Sequence, residues 1–369
     1  MKLRTLIFLA NLLTGVFCCL PANATDLTAS SIATATSRSH PETKWHPGHY
    51  VFVYARQSEP WYTRQLLQDL KAHPYFRGIM KQYFWKDLEP REGVYDFSKI
   101  ANDLDQLSRI NKRLIVRVEA ESFNTGQQEV PDYLQSDRYD GGVYKLDTGN
   151  GYNAAYYNKH VQDRMIALLQ AMGKAFDSNP HLEMISLEET SYGKYDNRWV
   201  AQHARQYLGG MMRVAVAAKQ AFPTTQVTQF INWPTFALPQ LFQISVQNHL
   251  GVGGPDVMQN ATGLINGAYR YFPDLSGIAP IMFDVEYTDY DSSDGGRDND
   301  DPSIASIVKF AVSALHPNYM VWLRRTAEGN GSNHWLDVEN QLNTYDWQSD
   351  PAGGMQTACP KDIAPCNTQ

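Results

Sequence analysis

Cysteine is scarce in this sequence of 369 residues, which contains only four. Cys18 and Cys19 lie in the N-terminal segment, whereas Cys359 and Cys366 flank a six-residue, proline-containing loop near the C-terminus. The spacing of the second pair fits no metal-ligand pattern. In an exported protein it predicts a disulfide that closes the C-terminal tail.

Runs of basic residues are also missing, and the formal net charge is −7. Proteins that bind nucleic acid usually concentrate lysine and arginine in one patch or stripe. We therefore expect no nucleic-acid partner. Aromatic residues are plentiful, with 21 tyrosines and 8 tryptophans, which suits a sugar-stacking cleft but also suits an ordinary large core.

The first 24 residues have the pattern of a secretory signal peptide. A short positive region precedes the apolar stretch Leu6 to Leu20, and Ala22–Ala24 forms an A-x-A cleavage site. An N-terminal membrane anchor is disfavoured, because the apolar stretch is shorter than the ~20 residues that a span needs. A lipoprotein is disfavoured because the bulky Phe17 precedes the two cysteines. We expect a secreted or periplasmic protein with no membrane attachment in its mature form.

The mature chain divides into three parts. Residues 25–45 are rich in Ser, Thr and Ala and are predicted to be a flexible lead-in. Residues 46–350 alternate short apolar runs with longer helical patterns, and residues 351–369 form a C-terminal tail. The predicted strands are 49–54, 77–85, 113–119, 182–189, 225–233, 251–258, 278–286 and 319–324.

Eight strand–helix pairs in sequence predict parallel strands joined by right-handed crossovers. The runs are apolar on both faces, as the buried strands of a parallel sheet are. Their number and the chain length fit an α/β fold of the (β/α)8 TIM-barrel type. The alternative is an open doubly wound sheet, which usually has a glycine-rich turn after its first strand. No such turn follows Tyr54.

Carboxylates stand at the ends of the fourth and seventh predicted strands. Active sites of (β/α)8 barrels lie at the C-terminal ends of the strands, so Glu189 and Glu286 are expected to face one cleft. Cleavage of a glycosidic bond needs two such groups. One protonates the leaving oxygen, and the other attacks the anomeric carbon or activates a water molecule.

A known superfamily shares one segment of this sequence. The residues Trp85-Lys86-Asp87-Leu88-Glu89-Pro90-Arg91-Glu92-Gly93-Val94-Tyr95-Asp96-Phe97 resemble the W-x-x-L-E-P-x-x-G-x-Y-D-F segment that follows strand two in many retaining barrel glycosidases, including β-galactosidases and xylanases. The resemblance implies an acid/base on strand four, here Glu189, and a nucleophile on strand seven, here Glu286.

The sequence departs from this superfamily at position 188. The superfamily usually has asparagine before the acid/base, whereas this chain has Glu188. Neighbouring residues of a strand point to opposite faces unless a bulge intervenes, so alternation does not decide which glutamate reaches the cleft. We predict Glu189 as the acid/base, with Glu188 as the alternative. A second carboxylate could raise the pKa of its neighbour, or indicate a substrate with amino groups.

Further residues at the strand ends are candidates for binding substrate. Trp322 resembles the tryptophan that floors the sugar site in these enzymes, and Asn232 with Trp233 closes strand five. Each of these has barrel packing as its alternative. The remaining candidates, for which a structural role is the stronger alternative, are Trp85, Arg117, Glu119, Glu121, Arg56 and Arg324.

The favoured function is therefore a secreted retaining glycoside hydrolase that acts on an oligo- or polysaccharide without a metal or organic cofactor. One alternative is a non-catalytic carbohydrate-binding barrel. A metal-dependent hydrolase is disfavoured, because no strand end offers a dense His/Asp ligand set. The Asp-rich loop 289–302 is predicted to be a solvated acidic loop, because the spacing of its aspartates misses the EF-hand pattern. A calcium site is the alternative. The sequence leaves the oligomeric state open.

Overall fold

The computed structural model describes residues 41–54, 60–147, 149–290, 301–324 and 334–369. Eight parallel strands close into a barrel in the order β7-β8-β1-β2-β3-β4-β5-β6. The predicted (β/α)8 fold is confirmed. The strands are β1 (Gly48–Val53), β2 (Phe76–Phe84), β3 (Arg113–Glu119), β4 (Leu182–Glu189), β5 (Gln226–Phe230), β6 (Gly251–Gly254), β7 (Ile281–Val285) and β8 (Tyr319–Leu323).

Helices follow each strand and cover the outside of the barrel. The sixth unit is short and irregular, since its helix continues as a 3-10 turn, Ala268–Tyr271, and a further helical turn, Phe272–Leu275. No helix in the described ranges is long and apolar enough to cross a membrane. The helices are α1 (Pro60–Ala72), α2 (Ser98–Ser108), α3 (Lys159–Phe176), α4 (Asn197–Ala221), α5 (Leu238–Gln247), α6 (Thr262–Asn266), α7 (Ile304–Phe310) and α8 (His334–Leu342).

The C-terminal tail closes the end of the barrel opposite the strand C-termini. Cys366–Asn367 pairs in parallel with Thr43–Lys44, and the Trp45 indole donates to the Thr357 carbonyl. The predicted disulfide between Cys359 and Cys366 is present. The predicted signal peptide and the predicted lead-in up to residue 40 lie outside the described residues. The last residues of the lead-in, 43–45, are buried against the tail.

The segment that resembles the glycosidase motif braces the start of α2 against α3. The Trp85 indole donates to Glu89, which also accepts from the Gly93 backbone N–H and pairs with Arg164 of α3. Trp85 and Glu89 are fully buried. Trp85 was a candidate for sugar binding with packing as the alternative, and its burial and its bonded N–H favour packing.

Candidate active site

Carboxylates crowd the C-terminal ends of four barrel strands. Two lie at or just after the end of β3, two belong to β4, one follows β6, and three lie at or after the end of β7. Burial raises the pKa of all of them, since a buried charge loses its hydration. The eight residues are Glu119, Glu121, Glu188, Glu189, Asp256, Asp284, Glu286 and Asp289.

Arg117 is the cation at the centre of this group. Its guanidinium lies 3.1 Å from the Glu119 carboxylate and 2.8 Å from that of Asp284, and its plane lies over the Phe230 ring. Its positive charge opposes the rise in carboxyl pKa at seven of the eight residues. Arg117 was predicted as a candidate for binding substrate with a structural ion pair as the alternative, and its two internal ion pairs favour that alternative.

A β-bulge separates Glu188 from Glu189. Leu187 pairs with Gln229 and Glu189 pairs with Phe230, so Glu188 is the extra residue of β4. The Glu188 carboxylate accepts the backbone N–H groups of residues 120 and 121, each at 2.5 Å. Glu188 also lines a small cavity between the barrel and helices α3 and α4. It therefore holds the end of β3 against β4.

Glu189 lies on the other side of the bulge and is partly exposed. Its carboxylate accepts a hydrogen bond from the Asn232 side-chain amide, which fixes the carboxyl plane. Burial raises the pKa of Glu189 to about 7, and the charge of Glu286 adds to the rise. The hydrogen bond from Asn232 and the charge of Arg117 oppose it. The structure gives Asn232, predicted to bind substrate, a contact with Glu189, and its binding of substrate stays a prediction. A carboxyl group with this pKa is protonated in a useful fraction at neutral pH.

Glu286 follows β7 and is also partly exposed. The Tyr54 hydroxyl, at the end of β1, donates to its carboxylate at 3.3 Å. Burial raises the pKa of Glu286 to about 7, against the Arg117 charge. The buried Asp289 accepts the backbone N–H of Glu286 at 2.7 Å and that of Val257 at 2.9 Å. Asp289 thereby ties the end of β7 to the segment after β6.

Sequence reasoning missed Tyr54 and Asp256 as residues of this site. Tyr54 is the first residue after β1, and Asp256 is the second residue after β6. Both positions were within reach of the rule that barrel active sites lie at strand ends. Asp289 was assigned to an acidic loop, but it lies in a short buried helix, Tyr287–Tyr290.

Asp256 leads to a prediction on pH and stability. Burial, with the charge of Glu189, raises its pKa from 3.8 to about 7. Folding then favours the protonated form, so the stability that this group contributes is full below about pH 4 and is lost as pH rises through 7. Asp256→Asn removes the titration. In urea unfolding we expect the variant to gain stability relative to the wild type between pH 4.5 and pH 8. If the difference in unfolding free energy between the variant and the wild type were the same at pH 4.5 and pH 8, this expectation would be contradicted.

The two remaining tryptophan predictions have different outcomes. Trp322 is fully buried, and its indole N–H donates to His49 at 2.9 Å, which favours barrel packing, the alternative to its predicted role as the floor of the sugar site. Trp233 follows β5 and is 37% exposed, which leaves its ring available to a ligand. Gly263 gives this ring room, since a Cβ there would lie 2.8 Å from it.

The other candidates lie away from the cleft or outside the described residues. Arg324 pairs with Asp69 of α1 at 2.5 Å. Arg56 lies outside the described residues, as do positions 291–300 of the predicted acidic loop, so its calcium alternative stays untested. Among the described residues, no group of three or more His, Cys, Asp or Glu side chains is arranged to hold a metal ion.

Comparison with solved structures finds the same barrel in several proteins. A β-galactosidase from the Antarctic haloarchaeon Halorubrum lacusprofundi matches with a TM-score of 0.56 and 10% identity, over 81% of this chain and 58% of that one. The catalytic domain of β-amylase from Paenibacillus polymyxa matches with 0.54 and 9%, over 80% and 98%. Endo-glycoceramidase II from Rhodococcus sp., as a lactosyl-enzyme intermediate, matches with 0.54 and 10%, over 80% of each.

These likenesses confirm at the level of the fold the resemblance to (β/α)8 glycoside hydrolases that the sequence predicted. This chain spans less than two thirds of the haloarchaeal β-galactosidase. No protein-family model matches the sequence, and no curated protein matches it.

Proposed function

We propose that this protein is a retaining glycoside hydrolase in which Glu286 is the nucleophile and Glu189 the acid/base. The observation that carries the proposal is the pair itself. Both carboxyls are partly exposed at the C-terminal end of the barrel, and the charge of Glu286 raises the pKa of Glu189. Burial raises the pKa of both groups to about 7, and the repulsion between them favours a single negative charge on the pair, which suits a reaction that needs one ionised and one protonated carboxyl.

The hydrogen bonds of the two groups support these roles. The Tyr54 hydroxyl donates to Glu286 and so favours its ionised form. Glu188 is held by two backbone N–H groups, which makes Glu189 the better candidate for the acid/base. The lactosyl-enzyme intermediate of the Rhodococcus protein supports a double displacement on this fold.

The proposed reaction has two steps. In the first, Glu286 attacks the anomeric carbon while Glu189 gives its proton to the departing glycosidic oxygen, which leaves a glycosyl ester on Glu286. In the second, Glu189 takes a proton from water as the water attacks the same carbon and releases Glu286. The sugar leaves with the anomeric configuration that it had in the substrate.

Exposed aromatic rings favour an oligo- or polysaccharide as substrate. They lie on the loops that follow three consecutive strands, β3, β4 and β5. Rings of this kind stack on sugar faces and contribute large apolar contact areas. They could bind several sugar units beside the cleft. The residues, with their exposed fractions, are Phe123 at 50%, Tyr195 at 64%, Trp233 at 37% and Phe236 at 55%.

Trp233→Ala tests this binding surface. We expect KM for a cleaved oligosaccharide to rise about tenfold with kcat nearly unchanged, because one stacking contact contributes roughly 1.4 kcal/mol. Leu336→Ala, which removes a 49% exposed side chain from the outer helix α8, is the matched control and should change neither constant. An unchanged KM in the Trp233 variant would argue against the surface.

Asp289→Ala tests whether the end of β7 must be held in place. The change removes the acceptor of the Glu286 and Val257 N–H groups, so Glu286 loses its fixed position. A shift of ~1 Å in a reacting group can cost on the order of 100-fold in rate, and we expect a loss of that order in kcat with little change in KM. Asp289→Asn keeps an acceptor oxygen and should recover part of the rate. Equal rates in all three proteins would contradict a positioning role.

The proposed function is tested by incubating the protein with a panel of polysaccharides while following new reducing ends. Proton NMR of the first product formed then gives its anomeric configuration, which must equal that of the substrate. A product of inverted configuration would exclude the double displacement. Binding to a glycan without any new reducing end would support the non-catalytic carbohydrate-binding barrel instead.

We also propose that the enzyme acts outside the cytoplasm. The signal-peptide pattern of residues 1–24 and the disulfide between Cys359 and Cys366 support this location, because such bonds persist in oxidising compartments. Fractionation of expressing cells, with N-terminal sequencing of the mature protein, tests both points.

A further inference from the structure

Glu121 is a buried carboxylate that the proposed reaction does not use. It follows β3 and is only 5% exposed. Its Oε1 atom has no hydrogen-bond partner among the described residues. Buried polar atoms in proteins are nearly always paired. This oxygen can therefore accept a hydrogen bond from a bound ligand.

Glu188, Glu119 and Glu189 differ from Glu121 in this respect, whereas Asp284 also has one buried oxygen without a partner among the described residues. Backbone N–H groups satisfy Glu188, and Arg117 pairs with Glu119. Asn232 donates to Glu189. No side chain in the described part of the chain plays such a part for Glu121, although it lies near enough to Glu189 for the charge of Glu189 to raise its pKa.

The surroundings of Glu121 suit a positive charge. Burial and the charges of Glu189, Glu188 and Glu119 raise its pKa well above the usual range. Three buried tyrosines lie near enough to Glu121 that its charge adds to the effect of burial in raising the pKa of their hydroxyl groups. A carboxylate beside aromatic rings is a favourable environment for an ammonium group. The rings are Tyr144, Tyr156 and Tyr207.

The charge balance of the cleft points the same way. The Arg117 guanidinium is already shared between Glu119 and Asp284, and within the described ranges neither Glu121 nor Asp256 has an ion-pair partner of its own. Among the described residues, the carboxylates around Glu121 would repel the negative charge of a uronic acid or sulfated sugar. A neutral sugar could give one hydroxyl hydrogen, whereas a protonated amine brings a positive charge and three donors.

We propose that the glycan bound in this cleft contains amino sugars with a free, protonated amino group, and that Glu121 binds this group. The inference rests on the glycoside hydrolase function proposed above and names its substrate class. Glu121 loses its proton as the ammonium group arrives, and the resulting ion pair fixes the sugar beside Glu189.

The test measures dissociation constants for methyl β-glycosides that differ only at position 2. The amino, acetamido and hydroxyl forms of the gluco, galacto and manno sugars are titrated into the wild-type protein at pH 6 by calorimetry. We expect the amino form of at least one sugar to bind ten times or more tighter than its hydroxyl form. Glu121→Gln, which keeps the shape of the side chain, should abolish this preference.

Asp256→Asn is the matched control, because it removes a carboxylate from the other side of Glu189 and should keep most of the preference. A measurement on the wild type alone covers the case in which the Glu121 variant does not fold. Titration in two buffers of different ionisation enthalpy should show about one proton released per amino sugar bound and none per neutral sugar.

Three results would overturn the inference: no preference for any amino form, a preference that survives in Glu121→Gln, or an equal loss in the two variants. Failure of the inference is separable from failure of the proposed function. Hydrolysis of neutral glycans with no amine preference would refute only the inference. Amine-selective binding without cleavage of any glycan would refute only the hydrolase.

Discussion

Glu286→Gln is expected to lower kcat for glycoside hydrolysis by on the order of 10⁴-fold or more, with little change in stability. The amide keeps the size of the side chain and can still accept from the Tyr54 hydroxyl. It cannot form the glycosyl ester, and removal of a covalent nucleophile costs losses of this size. The measurement uses any glycan that the polysaccharide panel shows to be cleaved, with circular dichroism to confirm folding.

The strand-four pair provides the matched comparison. Glu189→Gln should lower kcat by about 10² to 10⁴-fold, the usual contribution of general acid–base catalysis. Glu188→Gln should act mainly on stability, since Glu188 holds the N–H groups of residues 120 and 121. A larger loss of kcat in the Glu188 variant would reverse the assignment of the acid/base.

The pH profile separates the two roles further. Burial and the charge of Glu286 raise the pKa of Glu189 to about 7, and an acid must be protonated to work. In the wild type kcat/KM should therefore fall as pH rises through about 7. With 4-nitrophenyl glycosides, whose leaving group needs no proton, Glu189→Gln should keep residual activity without this fall. A profile that keeps the same fall in the variant would place the acid elsewhere.

Arg117→Met should give the largest loss of stability of any variant considered, about 3 to 5 kcal/mol in the free energy of unfolding. The change leaves the Glu119 and Asp284 carboxylates buried without their cation, and Asp284 is fully buried. Both would take up protons more readily, so the loss should shrink as pH falls from 7.5 to 5. Urea unfolding at the two pH values measures both effects.

An exposed arginine gives the matched control. Arg109 pairs with Asp105 on α2, with side-chain exposures of 72% and 56%, and an exposed pair of this kind contributes at most about 1 kcal/mol. Arg109→Met should therefore change stability little. The double variant Arg117→Met, Asp284→Asn should recover part of the loss. Similar effects of the Arg117 and Arg109 variants would contradict the central role of Arg117.

Most of the fold was predictable because its signals are local. Buried parallel strands are apolar on both faces, and the predicted bounds of β3 and β4 coincide with those of the structure. The sixth unit was the hardest, since β6 has only four residues, three of them glycine. Glycine carries no hydrophobic pattern, so the end of this strand, and with it Asp256, was not recognised as part of the site.

The predicted tryptophans at the strand ends show what local sequence does not predict, namely the exposure of a side chain. Trp85, Trp233 and Trp322 look alike as aromatic residues near strand termini. The structure buries two of them and exposes one, because exposure depends on which neighbouring elements cover each ring. The indole of Trp322 contacts His49, which is distant in sequence.

The sequence by itself determined the eight-fold alternation and the carboxylates at the ends of strands four and seven, because both follow from short-range patterns of apolar and polar residues. Only the tertiary structure decided how Glu188 and Glu189 differ. The side on which each points depends on a bulge, and a bulge is defined by the pairing of Leu187 and Glu189 with β5. Register between strands is a property of the assembled sheet. The different surroundings of Glu188 and Glu189 could therefore not be predicted from the sequence.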